Sequence, residues 1–247
     1  ADRLAHLIDI GDGQTIRQEN VFKNHILYSA NLKEFDAENS IKALSKAFSI
    51  LRRVKGPIHI NAPFDEPLYE TVATMNDFCF IAEESDFQDT IDYENLASQW
   101  NSAKKKMILV GVHSPNAALE ILLDKVADDP SVLVFTETTS NLYNKRFVNS
   151  IDNLIFNLTE EEFTSLQPDI LLTFGGMIVS KKIKKFLRDY SPKEHWHVNE
   201  LRAFDTYQVL SKHLKIDSHS FFKHFCELVD YDNKSTYEST WTYYKQR

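Results

Sequence analysis

Apolar positions along this chain change their period repeatedly, and each change predicts a different element. Leu4, Leu7, Ile8 and Ile10 open with a strand-like run that stops at Gly11-Asp12-Gly13. From about Ala37 the spacing turns helical, with Ile41, Leu44, Phe48 and Leu51 on one stripe and Asp36 placed to cap it. Residues 56–62 read as a buried strand, closed by Pro63 and Pro67, which cannot continue a ladder. A mixed stretch follows, poor in glycine and carrying the acidic cluster Glu83-Glu84-Ser85-Asp86, in the manner of an interdomain crossing.

Beyond Lys104 the pattern becomes regular. Met107 to Val112 reads as a buried parallel strand, and Ser114 with Pro115 supplies an N-cap and first-turn proline for a helix through about Val126. Further strands are predicted at 132–135, 154–156, 169–174 and 196–199, and further helices at 160–166, 179–189 and 218–229. Such alternation predicts an α/β fold: a Rossmann-like parallel sheet with helices on both faces, preceded by a partial α/β segment. The chain divides on this reading into a first part at 1–75, a linker at 76–103, a Rossmann-like domain at 104–216 and an outgoing linker at 217–247.

Composition narrows the partners. With 28 Lys and Arg against 36 Asp and Glu the net charge is −8, which argues against nucleic acid or an anionic membrane. No apolar run approaches the ~18 residues of a membrane span, and no signal-peptide pattern opens the chain. Cys79 and Cys226 show no metal or disulfide spacing, which suits a reducing cytoplasm. The start at Ala1 and the polar aromatic tail TYESTWTYYKQR both read as cut ends of a longer enzyme.

Glycines settle one question early. They stand only at 11, 13, 56, 111, 175 and 176, so the fingerprint of a dinucleotide-binding loop cannot be assembled. Gly175-Gly176-Met177-Ile178-Val179-Ser180-Lys181-Lys182 follows a predicted strand and opens a helix, which aims its amides and lysines at the ligand-binding edge of the sheet. Against that stands a plain basic helix face made by Lys182, Lys184, Lys185 and Arg188. His195 and His197 flank Trp196 and share one strand face, but no third ligand is near in sequence, so they read as packed histidines.

A family resemblance is carried most clearly by two segments and extends into Gly175–Lys182, where a Gly/Ser-rich turn precedes a lysine pair, and into Trp196–Glu200. Pro57-Ile-His-Ile-Asn-Ala-Pro-Phe-Asp-Glu-Pro-Leu-Tyr-Glu70 closely resembles the end of the pyrimidine-binding domain in the thiamine-diphosphate-dependent 2-succinyl-5-enolpyruvyl-6-hydroxy-3-cyclohexene-1-carboxylate synthases. Ala1-Asp2-Arg3 with Gly13-Gln14-Thr15-Ile16-Arg17-Gln18 is similar to that family's Ala-Asp-Arg-Pro and Asn-Gln-x-Ile-Arg-Gln pair, with Leu4 for the proline and Gly13 for the asparagine. The resemblance implies that 1–75 ends a pyrimidine domain and that 104–216 is the middle domain. It also implies that 217–247 leads to a diphosphate domain.

By the same resemblance Arg3 meets a carboxylate of isochorismate, Gln14 hydrogen-bonds its ring substituents, and Lys181 approaches the isochorismate-derived substrate. The family reaction decarboxylates 2-oxoglutarate on thiamine diphosphate with Mg²⁺ and adds the resulting carbanion to isochorismate. Thiamine-diphosphate enzymes also carry Gly-Asp-Gly followed at a distance by asparagine, and Gly11-Asp12-Gly13 with Asn39 fits that spacing. Asn39, however, falls in the first turn of an amphipathic helix and precedes Ser40 rather than a second asparagine. The chain alone is therefore expected to bind neither cofactor nor metal and to hold no catalytic residue, while the complete protein is expected to be a dimer or tetramer. The alternative is a non-catalytic structural or metabolite-binding Rossmann-like module.

Overall fold

The computed structural model describes residues 3–11, 13–33, 35–65, 69, 71, 73 and 91–246. Asp2, Asp12, the end of the proline-rich motif at Glu66–Leu68 and Glu70, Cys79 and the acidic cluster at 83–86 lie outside them. Two compact units divide the chain, Ala1–Phe87 and Gln88–Arg247.

The first unit is a β-α-β crossover. Strand β1 (Tyr28–Asn31) pairs in parallel with β2 (Ile58–Asn61), placing Ala30 opposite Ile60, and helix α1 (Ala37–Val54) joins them. Asp36 caps α1 as its sequence predicts: its carboxylate accepts the backbone N–H of Asn39 at 3.4 Å and the side-chain amide of Asn39 at 3.0 Å. Lys55, in the left-handed conformation, ends the helix. Two readings change here. The opening run is a short 3-10 helix at Ala5–Leu7 rather than a strand: Leu7 N–H donates to Leu4 O at 2.9 Å, and among the described residues no strand pairs with this run. β1 had no counterpart in the sequence reading; its four residues are too few to show an alternation.

The second unit is a five-stranded parallel sheet. In chain order its elements are α2 (Tyr93–Ser102), β3 (Lys106–Val110), α3 (Ala117–Val126), β4 (Val132–Thr136), α4 (Ile151–Phe156), α5 (Glu160–Leu166), β5 (Ile170–Phe174), α6 (Lys181–Asp189), β6 (Glu194–Val198), β7 (Leu210–Leu214), α7 (Ser218–Phe225) and α8 (Tyr237–Gln246). The strand order is β4-β3-β5-β6-β7. Alternate residues of β3 feed two cores. Ile108 and Val110 pack with Trp100, Leu123 and Phe222, while Met107 and Leu109 pack with Leu154, Phe186 and Trp241. Both faces are thus covered, the condition for fully buried parallel strands.

Several boundaries move. Leu154–Phe156 is helical, since Ile151, Leu154 and Ile155 form a helical stripe against the second core; so short an apolar run looks alike in strand and helix. Asn116, not Ser114, caps α3, its side chain accepting the Leu119 N–H at 3.0 Å. α2 falls within the residues read as a linker, yet Leu96, Ala97 and Trp100 are buried in the first core. α7 and α8 do not lead outward either: Phe221, Phe222 and Phe225 fill one core and Tyr237 and Trp241 the other. β7 is an outermost strand with Ser211, Lys212 and His213 in its middle, a composition that suits a sheet edge and hides it from pattern reading.

Among the described residues no helix is long and apolar enough to cross a membrane.

Candidate functional site at the carboxyl edge of the sheet

The order β4-β3-β5-β6-β7 places the chain reversal between β3 and β5, and open α/β sheets take ligands outside the carboxyl ends of the strands at that reversal. The loops leaving the two strands meet there. Gly111 donates its N–H to Phe174 O at 3.0 Å, Gly176 donates to Val112 O at 2.7 Å, and Val112 donates to Met177 O at 3.3 Å. A Cβ on Gly111 would lie 2.0 Å from Gly176 O, and Gly175 sits at φ +80°, so this crossing needs glycine. Val112, Met177 and Val179 leave apolar surface exposed along it.

The helix N-terminus beyond this crossing is not an open anion cradle. The Glu137 carboxylate, just past β4, accepts the N–H of Val179 at 2.8 Å and that of Ser180 at 2.7 Å. The Ser180 hydroxyl accepts the Ile183 N–H at 3.2 Å, capping α6, and contacts the Asp152 carboxylate. The expectation that these amides would bind a ligand anion is corrected here, because the chain's own carboxylate holds two of them. A groove of about 380 Å³ opens beside this arrangement, lined by Thr138, Thr139, Asn149, Asn153 and the two carboxylates.

Cations on α6 sort themselves by partner. Lys182 lies 4.2 Å over the Phe156 ring, Lys184 donates to Ile178 O at 3.0 Å, Lys185 pairs with Asp189, and Arg188 donates to Thr206 O at 2.9 Å. Lys181 is exposed, and among the described residues nothing pairs with its ammonium. Four of the five α6 cations thus have a local partner, though only Lys185 meets an opposite charge, and Lys181 differs from them in having none among the described residues.

Arg3 and Gln14 belong to the first unit, where both are exposed. The Arg3 guanidinium reaches to within 3.8 Å of where a Gly13 Cβ would stand, so it lies beside the turn that carries Gln14. Gly13 itself has φ +69°. Glycine and asparagine are the two residues most at ease in that conformation, which accounts physically for glycine where the resembled motif has asparagine.

The two strand histidines are built into the sheet. The Thr173 hydroxyl bridges His195 Nε2 at 2.8 Å and His197 Nδ1 at 2.7 Å, and Tyr207 packs edge-on against His195. Burial pushes both imidazoles down to about 4, each further lowered by a neighbouring histidine, so both are neutral in the folded protein. They were read as packed histidines, and this geometry agrees.

Asp12, the middle residue of Gly11-Asp12-Gly13, lies outside the described residues. Among the described residues there is no group of three or more His, Cys, Asp or Glu placed to hold a metal ion. Asn39, the residue at a suggestive distance from Gly13, spends its amide on both oxygens of Asp36.

Comparison with known proteins follows the same lines. No protein-family model matches the chain. A curated relative from Flavobacterium psychrophilum, a 2-succinyl-5-enolpyruvyl-6-hydroxy-3-cyclohexene-1-carboxylate synthase, is 48% identical over 93% of this chain. The synthase of Flavobacterium johnsoniae is also 48% identical, over 94% of the chain, and that of Desulfotalea psychrophila is 33% identical over 93%. The chain spans 42%, 42% and 45% of those three relatives, well under half of their length. Among solved structures, a Mycobacterium smegmatis protein described as a thiamin diphosphate-dependent enzyme aligns over 95% of this chain and 46% of its own, with TM-score 0.61 and 14% identity, a likeness of fold. Nearly all of this chain is homologous to a segment of the 2-succinyl-5-enolpyruvyl-6-hydroxy-3-cyclohexene-1-carboxylate synthases.

Proposed function

We propose that the chain is the substrate-binding part of a carboligase of menaquinone biosynthesis that joins 2-oxoglutarate, with loss of CO₂, to isochorismate. The observation that carries this reading is Lys181: at the ligand-binding edge of the sheet it is the α6 cation without a partner among the described residues. Both substrates carry two carboxylates, which Lys and Arg side chains meet with charge-assisted hydrogen bonds.

Each residue then has a distinct task. Lys181 approaches a carboxylate of the isochorismate-derived substrate. Arg3 meets a carboxylate with its planar fork, and Gln14, which can both donate and accept, hydrogen-bonds the ring substituents. Thiamine diphosphate and Mg²⁺ belong to the complete protein, and these 247 residues alone are expected to turn nothing over. The complete protein is expected to assemble as a dimer or tetramer.

The test is steady-state kinetics of the full-length protein carrying Lys181→Ala. Losing a hydrogen bond to a charged group costs about 1.5–3 kcal/mol, so KM for isochorismate should rise about ten- to a hundredfold with KM for 2-oxoglutarate little changed. An unchanged KM for isochorismate would refute the assignment of Lys181. The groove of about 380 Å³ beside α6 favours a second reading, a metabolite-binding module. That reading requires a saturable ligand bound there by Gln88–Arg247 without thiamine diphosphate, which calorimetry would detect.

A further inference from the structure

Glu137 holds a position that the substrate contacts leave unexplained. Its backbone N–H donates to the Ser140 hydroxyl at 2.9 Å, and that hydroxyl donates to Val110 O at 2.7 Å at the end of β3. The residue is therefore anchored to a strand buried along its whole length. Its two carboxylate oxygens then divide between two consecutive amides, Val179 N–H and Ser180 N–H, immediately before Lys181. The same Ser180 caps α6 through Ile183.

We infer that Glu137 is a positioning residue: through Val179 and Ser180 it fixes the first turn of α6 and so directs the Lys181 ammonium towards the substrate carboxylate. The inference rests on the assignment of Lys181 proposed above. The arrangement of one oxygen per amide needs a carboxylate, since a glutamine in the same pose would turn an NH₂ group towards one of the N–H donors. Holding the pair also leaves a substrate anion no free amide among those two, so recognition falls to the lysine. A purely electrostatic role predicts the opposite effect on binding: removing a negative charge near an anion site would tighten it.

The experiment is a kinetic double-mutant cycle in the full-length protein, comparing wild type, Glu137→Gln, Lys181→Ala and the double variant with both substrates varied. The expected result is that Glu137→Gln raises KM for isochorismate roughly tenfold while kcat and KM for 2-oxoglutarate hold, and adds nothing in the Lys181→Ala background. Glu137→Asp, which keeps the charge but shortens the reach, should fall between Gln and wild type; it also serves if Glu137→Gln does not fold. If Lys181→Ala raises KM but Glu137→Gln leaves it unchanged, lowers it, or multiplies it equally in both backgrounds, the positioning role is overturned and the Lys181 assignment stands. If Lys181→Ala has no effect, that assignment fails, and the inference with it.

Discussion

Lys106 and Asp129 meet at 2.6 Å with both side chains withdrawn from water, joining the first residue of β3 to the turn before β4. The second oxygen of Asp129 accepts the N–H and the hydroxyl of Ser131 at 2.8 and 2.6 Å, and the Asn233 amide donates to the first at 2.8 Å. Lys106 also lies 5.3 Å from the centre of the Trp100 ring. Burial lowers the lysine's affinity for its proton, and Asp129 opposes that shift. A buried pair of this kind is costly to break by halves. Asp129→Ala should destabilise the second unit by about 3–5 kcal/mol, whereas Lys106→Met with Asp129→Leu should recover much of the loss. Urea unfolding followed by tryptophan fluorescence reads this unit alone, because Trp100, Trp196 and Trp241 are the only tryptophans in the chain.

Acid should weaken the same unit before its carboxylates titrate. His195 and His197 have proton affinities depressed to about 4, against about 6.5 in an unfolded chain. Between those values the unfolded state binds more protons, so stability rises with pH through this window and falls as pH drops from about 6.5 to about 4. The slope is at most about 1.4 kcal/mol per pH unit for each histidine. His197→Gln should flatten it, as measured by urea midpoints across that range; an unchanged slope would contradict the buried, neutral assignment.

Truncating Trp241 tests whether the last helix is part of the domain. Its indole is fully buried, edge-on to both Phe135 and Phe186. Trp241→Ala should cost about 3–5 kcal/mol, a core-sized loss. A helix that merely trailed outward would lose less than about 0.5 kcal/mol.

Gly111→Ala probes the crossing of the two loops. The added methyl would stand 2.0 Å from a backbone oxygen, with no flexible side chain to move aside. The loop at Gly176 must shift, so the variant should lose stability by more than the ~1 kcal/mol of an ordinary glycine effect and, on the function proposed above, should raise KM for isochorismate in the full-length protein. Calorimetric melting and KM together would show both effects.

Legibility in the sequence followed burial. β3, β4 and β5 are apolar runs buried at every position, and such runs announce themselves. α1 was readable because Asp36 and the stripe from Ile41 to Leu51 signal start and face together. β7 hid because an edge strand carries polar residues. α8 hid because its inward positions, Tyr237 and Trp241, are spaced among threonines and charges that look like a tail. At the site, only the family resemblance names Lys181; its place after Gly175-Gly176 reads as readily as a solvated basic helix face. Glu137 could not be singled out, because nothing in the local sequence says that a residue after β4 will reach the amides before α6. That relation exists only once strand order brings the two loops together.

The strand order also governs how this unit comes into being. Every ladder in the sheet is parallel, so no two neighbouring strands are joined by a hairpin. β3 is the first of the five strands to be synthesised yet ends inside the sheet, with Leu109 beside Phe135 on one flank and Thr173 on the other. Its second flank stays open until synthesis has passed Phe174, and Trp196 closes the first core only later. Assembly must therefore build on an interior strand made early and paired on both sides only late, a high-contact-order route that folds slowly and exposes β3 to misassembly in the interval.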